Sequence, residues 1–245
     1  MTSANPVAAR PDERLRPLLT RDYVHFRQQG SDGAAWLAPP STAVSVIINR
    51  GAAFGGLPRA FVAGPADACG VVSMLGEIDC VDVQLTPLGA YRLFGVPVSE
   101  LVNEVVELGE LAEVRPERLD EDLLRLADAG PAPAGEVAWV WRRLHATHGN
   151  VPVGALAAEI GWSRRHLVDR FRTQVGLPPK TVARLLRFEE LLRRLPERDL
   201  AEAAAASGYY DQAHMNRDFR EFAGTTPGDY LARFPSVQYP WVPAS

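Results

Sequence analysis

The chain has 245 residues, of which 47% are apolar and 23% charged. That suits one large domain or two ordinary ones, and it excludes global disorder and fibrous repeats. The formal net charge of −4 is unevenly spread, with 11 basic and 18 acidic residues in 1–135 against 15 and 12 in 136–245. The second part is therefore the basic one, as a polyanion-binding module on an acidic chain would be.

From the N-terminus, residues 1–35 are polar and rich in Pro, Gly and Arg, and are expected to be partly loose. Arg10, Asp12, Glu13, Arg14 and Arg16 leave no apolar stretch for a secretory leader, and the cytoplasm is the expected compartment. No run approaches the roughly 18 apolar residues of a membrane helix. Residues 43–49, 59–63, 70–75 and 80–85 are short β-branched runs. Gly51, residues 55–58, Gly64-Pro65 and Gly76 separate them, which predicts a small antiparallel sheet or barrel. Thr86-Pro87 is an N-cap and first-turn pair for a helix over 88–94. Further helix starts are expected at Ser99 and over 115–129. Glu100, Glu104, Glu107 and Glu110 read as one solvated helical face, and residues 117–122 likewise.

Residues 130–135, Gly-Pro-Ala-Pro-Ala-Gly, resist both helix and strand, and the charge balance changes sign there. The expected organisation is an N-terminal sensing or dimerisation domain over 1–130 and a linker over 131–136. A helical domain over 137–234 and a tail over 235–245 follow. The fold class is α+β overall: a small β-rich domain with helices, followed by an all-α domain. In the latter, helices are expected over 137–147, 153–160, 164–175, 179–195, 199–206, 212–222 and 227–233, each broken by Gly or Pro.

Two stretches share one grammar. Each has a short alanine-rich helix, a glycine (Gly161, Gly208) with an aromatic after it, a capping residue (Ser163, Asp211) and a second helix with apolar residues four apart. Small residues let two helices cross closely and glycine permits the sharp turn, so both read as helix-turn-helix motifs. The two glycines are 47 positions apart, an approximate internal repeat. At about 100° per residue, Leu167 and Phe171 set the core side of the first reading helix, and Met215, Phe219 and Phe222 that of the second. Arg165, Asp169 and Arg172 then lie opposite the first core, and Ala213, Arg217 and Arg220 opposite the second. His214 and Asn216 flank the second core, and Gln212 sits near the helix start, where a reading helix meets base edges. A connecting helix over 179–195 would span roughly 25 Å at ~1.5 Å per residue. Two reading helices held at that scale suit successive major-groove segments, about 34 Å apart on one DNA face.

Residues 137–234 resemble the DNA-binding domain of AraC-type transcriptional regulators. The likeness rests on Trp162-Ser163, Leu167, Phe171, residues 176–179, Arg187-Phe188, Gly208-Tyr209 and Asp211-Gln212, and on His214-Met215, residues 217–219 and residues 226–230. It implies a monomeric unit of seven helices with two helix-turn-helix motifs, reading adjacent major-groove faces. Base readout is expected from Arg165, Gln212, His214, Asn216 and Arg217, since Arg reads guanine and Asn or Gln reads adenine through paired hydrogen bonds. Phosphate contacts are expected from Arg164, Arg170, Arg172, Lys180 and Arg220. Asp169 stands where the family often carries a base; it would accept from a cytosine amino group or orient Arg165 or Arg172.

The resemblance also implies an N-terminal sensing or pairing domain, often a cupin-like barrel. Residues 84–97 are similar to a stretch common in such domains. The expected function is a sequence-specific DNA-binding regulator, by family habit an activator. Its expected partners are double-stranded DNA, a small-molecule effector within 36–130, a second copy of the chain, and RNA polymerase. The alternatives are an architectural DNA binder without ligand, or an enzyme fused to a DNA-binding tail. Against the enzyme, residues 1–135 hold one histidine, His25, too few for a cupin metal site. No Gly-rich phosphate loop is present and no cofactor is expected. Two cysteines, Cys69 and Cys80, are too few for a disulfide framework and read as packing residues.

Overall fold

The computed structural model describes residues 7–30, 35–51, 56–73, 76–195 and 199–233. The expected tail over 235–245 and the last two residues of the run over 70–75 lie outside them.

Within the leader expected to be partly loose, residues 7–9 and 23–30 build sheet. Strands β1 (Val7–Ala9) and β2 (Tyr23–Gly30) flank a 3-10 turn over Glu13–Leu18. Next come β3 (Ala35–Ala38), β4 (Val44–Asn49), β5 (Ala60–Ala63), β6 (Gly70–Ser73) and β7 (Gly76–Leu85). Helix α1 (Pro87–Phe94), strand β8 (Val105–Glu107) and helices α2 (Leu108–Leu111) and α3 (Leu119–Ala129) complete this half. Six strands pair antiparallel in the order β1-β2-β7-β4-β5-β8, and β3 pairs with β6. The long β7 is the spine: Phe26 of β2 lies opposite Cys80, and Ile48 of β4 opposite Val81.

Alternation sends β4 side chains to two cores. Val44, Val46 and Ile48 pack with Val62, Val83, Leu15, Leu93 and Leu123 under the helices, while Ile47 joins Phe61, Ile78 and Cys80 on the other face. The Thr86-Pro87 start forms as expected, with Thr86 Oγ1 accepting from Gly89 N at 2.9 Å.

Three expectations need correction here. The helix start at Ser99 is only a 3-10 turn over Val98–Glu100. The four glutamates do not share a helix: Glu100 lies in that turn, Glu104 in a loop, Glu107 at the end of β8 and Glu110 in α2, although all are exposed. Residues 117–122 are not simply a solvated face either. Asp122 is buried and takes the Arg115 guanidinium at 2.9 and 2.6 Å, while Asp120 accepts from the Tyr23 hydroxyl at 2.7 Å.

Residues 131–134 carry no helix or strand. Beyond them run α4 (Gly135–Ala146), α5 (Val153–Glu159), α6 (Arg164–Val175), α7 (Pro179–Arg194), α8 (Leu200–Ala206), α9 (Gln212–Ala223) and α10 (Pro227–Arg233). They share one core. Helix α7 runs through it, burying Val182, Leu185, Phe188, Leu191 and Leu192. Phe188 meets Phe219 edge-on at 5.1 Å between ring centres, and Phe219 meets Tyr230 at 5.4 Å. At about 1.5 Å per residue, the 16 residues of α7 make a rod of roughly 24 Å.

The two halves touch. Val98, Val102 and Pro65 surround Gly176 at the end of α6, and the Cys69 amide donates to the Phe222 carbonyl of α9 at 3.0 Å. Gln174 Oε1 accepts from the Ala134 amide at 2.9 Å.

Candidate nucleic-acid interface

The two candidate motifs, α5–α6 and α8–α9, are built alike. In the first turn the Gly161 amide bonds to Ala158 O at 3.2 Å and the Trp162 amide to Ala157 O at 2.9 Å. In the second, the Gly208 amide bonds to Ala205 O and the Tyr209 amide to Ala204 O, both at 3.1 Å. Such bonds satisfy the last carbonyls of the supporting helix, and they need a left-handed residue at the glycine. Gly161 and Gly208 supply it, at φ +70° and +81°.

Each reading helix then starts on a side-chain cap. Ser163 Oγ accepts from the His166 amide at 3.2 Å, and Asp211 Oδ1 from the His214 amide at 2.6 Å. These caps fix where the reading helices begin, so the first-turn side chains have defined directions. Leu167, Phe171, Met215 and Phe219, expected to be core, are fully buried and hold each helix by its inner side.

On the outer side, Arg164, Arg165, Arg170 and Arg172 of α6 are exposed, as are Lys180 of α7 and Gln212, Arg217 and Arg220 of α9. His214 and Asn216 are half-buried, and the His214 ring lies edge-on to Tyr209 at 5.3 Å. Arg165 Nε is 3.9 Å from Asp169 Oδ2, so the unusual carboxylate restrains that arginine loosely.

Electrostatics distinguishes the two sides of α9. Its carboxylates Asp218 and Glu221 are both taken by Arg184 of α7, at 2.8 Å each. That pairing draws the Glu221 carboxyl below its ordinary range, and raises the already basic Arg184 further. Arg217 and Arg220 have no ion-pair partner among the described residues. The net effect is a reading helix whose acids, buried Asp218 and exposed Glu221, are both neutralised by Arg184 while Arg217 and Arg220 face outward. On α7, Arg193 and Arg194 are similarly consumed by buried Glu190, and Arg187 donates to Gly149 O at 2.8 Å.

One exposed residue of this surface escaped the sequence reading. Tyr210, in the second turn, is 93% exposed. The sign was the spacing from glycine to cap, which is one residue longer in the second motif than in the first.

The cysteines are both free. Burial pushes the Cys80 thiol up to about 12 and the Cys69 thiol up to about 11, so neither is a ready thiolate. Among the described residues no group of three or more His, Cys, Asp or Glu could hold a metal ion, and no helix is long and apolar enough to cross a membrane.

Residues 156–233 match the family described as a helix-turn-helix domain, and residues 8–107 match a domain of unknown function (DUF6597). Relatives are the HTH-type transcriptional regulator MtrA of Neisseria gonorrhoeae and the uncharacterized HTH-type transcriptional regulator YbfI of Bacillus subtilis. MtrA is 30% identical over 81 residues, 32% of this chain and 27% of the relative. YbfI is 32% identical over 88 residues, 35% of this chain and 32% of the relative. The chain thus matches less than a third of the length of these relatives. Among solved structures, ToxT of Vibrio cholerae covers 86% of this chain and 97% of its own, at 11% identity and a TM-score of 0.46. The C-terminal domain of AraT, a response regulator from Geobacillus stearothermophilus, covers 44% of this chain and 93% of its own, at 17% identity and a TM-score of 0.41. Residues 156–233 thus match a helix-turn-helix domain, and the two motifs α5–α6 and α8–α9 lie in that part of the chain.

Proposed function

We propose that the chain is a sequence-specific DNA-binding transcriptional regulator, acting in the cytoplasm as an activator. The observation that carries this reading is the repeated turn geometry on one connecting helix, with outward arginines on both reading helices. In this reading Arg165, Gln212, His214, Asn216 and Arg217 face base edges, and Arg164, Arg170, Arg172, Lys180 and Arg220 face phosphates. The pairing of Arg165 with Asp169 and the edge-on contact of His214 with Tyr209 make Gln212 and Arg217 the least encumbered readers. The N-terminal domain senses a small molecule or pairs two copies of the chain, and RNA polymerase is the further partner of an activator. The boundary between the two domains falls in the linker over 131–136. No enzymatic activity and no cofactor belong to this reading.

Selection of bound sequences from a genomic or random duplex library, followed by footprinting, tests it. Recovery of a shared motif with protection over two adjacent major-groove segments is the expected result. Recovery of unrelated sequences at equal affinity would instead favour the architectural reading.

A further inference from the structure

The two turns differ in a way that their shared bonds make visible. From Gly161 to the cap Ser163 there is one intervening residue, Trp162; from Gly208 to the cap Asp211 there are two, Tyr209 and Tyr210. Trp162 and Tyr209 make the same backbone bond back to the supporting helix and both turn towards protein, Trp162 half-buried and Tyr209 buried. Each meets a histidine of its reading helix edge-on, Trp162 with His166 at 4.5 Å and Tyr209 with His214 at 5.3 Å. The equivalent aromatic position is therefore filled by Tyr209, and Tyr210 is the surplus residue. It is pushed out to 93% exposure, with no hydrogen-bond partner among the described residues.

Its position is not arbitrary. Tyr210 immediately precedes Asp211, whose carboxylate is tied to the His214 amide at 2.6 Å, so the backbone on its C-terminal side is pinned. Its N-terminal side is pinned by the Tyr209 amide bond to Ala204 O at 3.1 Å. The phenol thus stands at the N-terminal mouth of α9, just outside the first turn. Base edges are met by residues within the first turns of a reading helix, and what flanks that mouth in a helix-turn-helix complex is the sugar-phosphate chain. Tyrosine is among the side chains that donate to phosphate oxygens. An aromatic ring held in water contributes nothing to folding at this position, whereas its hydroxyl is a free donor.

Resting on the DNA-binding reading above, we propose that Tyr210 is a phosphate contact of the second motif. Its O–H donates to a backbone oxygen at the edge of the groove that α9 enters. The contact is sequence-independent and adds a neutral donor to a set otherwise made of arginine and lysine.

Because no sequence is read, the test needs no operator. The full chain is titrated against a random-sequence duplex at several salt concentrations, as wild type, Tyr210→Phe, Tyr210→Ala and Arg217→Ala. Both tyrosine variants are expected to bind roughly fivefold more weakly, the scale of one lost hydrogen bond. The loss should be equal at every salt concentration, since a neutral hydroxyl releases no counterion. Their melting temperatures should match the wild type. Unchanged affinity in Tyr210→Phe overturns the proposal; if Tyr210→Ala alone weakens binding, the ring and not the hydroxyl is used. A wild-type chain that binds no duplex even at low salt overturns this proposal and the DNA-binding reading together, whereas normal wild-type binding beside an unaffected Tyr210→Phe overturns this proposal alone.

Discussion

Arg217 and Asp218 are neighbours in α9 with opposite roles. Asp218 turns inward, is buried and is held by Arg184, while Arg217 turns outward and stays unpaired among the described residues. Removing Arg217 therefore costs the fold little and the proposed interface much. Arg217→Ala should weaken binding to a selected cognate duplex by about 1–3 kcal/mol, as loss of a bidentate base contact does, with an unchanged melting temperature. Equal affinity for that duplex in wild type and variant would remove Arg217 from the readers. A second residue-scale case lies in the sheet. Asp82 is buried on β7, and burial pushes its carboxyl up to about 6 despite the Arg21 guanidinium at 2.6 Å. A carboxyl whose folded value lies above its unfolded value of 3.8 holds its proton longer when folded. Its contribution to stability is complete below about 4 and is lost as pH rises through about 6. Asp82→Asn should accordingly flatten the stability profile of the chain between pH 4 and 6, by up to about 3 kcal/mol relative to wild type. Denaturant titrations across that interval measure it. Parallel profiles for the two proteins would mean that Asp82 does not titrate there.

At the scale of elements, the glycine turns are the parts most exposed to a single methyl group. Nothing lies within 4 Å of a side chain built at Gly161, yet its φ is +70°. Gly161→Ala isolates the backbone cost, and should destabilise the chain by about 1–2 kcal/mol in denaturant unfolding. A value near zero would indicate that the first turn relaxes out of the left-handed region. The same elements show what sequence reading could reach. Helix α6 was legible over its whole range because cap, glycine stop and apolar spacing are local and agree with one another. Strands β1 and β2 were not, because their stability is not local. Tyr23–Gly30 carries His25, Arg27 and two glutamines and looks polar, but it pairs with β7, Gly76–Leu85, far along the chain. His25 and Arg27 are held there by Asp79, at 2.6 and 2.9 Å. Asp120 was misread for the same reason, since its partner Tyr23 lies 97 residues away, whereas the Arg115 that binds Asp122 is a near neighbour in sequence. On the proposed interface, which arginines face outward was legible from the helical wheel. That Arg184 serves Asp218 and Glu221 required the packing of α7 against α9, whereas Arg193 and Arg194 stand three and four residues after Glu190, a spacing the sequence already carried.

Across the whole molecule, the ends of both reading helices rest on one wedge of the N-terminal half. Residues 64–69 and 98–104 are locked to each other: Gly64 N donates to Glu104 O, Asn103 N to Pro65 O, and Asn103 Nδ2 to Asp67 Oδ1 at 3.0 Å. Asn103 takes a left-handed backbone, φ 60°, to close that loop. From this wedge, Val98, Val102 and Pro65 enclose Gly176 after α6, while the Cys69 amide reaches the Phe222 carbonyl near the end of α9. Apolar side chains make the contact at Gly176, so a single carboxylate there should weaken it. In Val102→Asp the charge would have to be desolvated without a partner, which disfavours the closed arrangement rather than either half alone. Each half has its own buried core, so both should stay folded. The expected outcome is that a single melting transition splits into two. Hydrogen exchange at the Cys69 amide should accelerate, while amides inside α7 keep their protection. One cooperative transition with a slow Cys69 amide would mean that the wedge holds by its backbone bonds and not by the valines around Gly176.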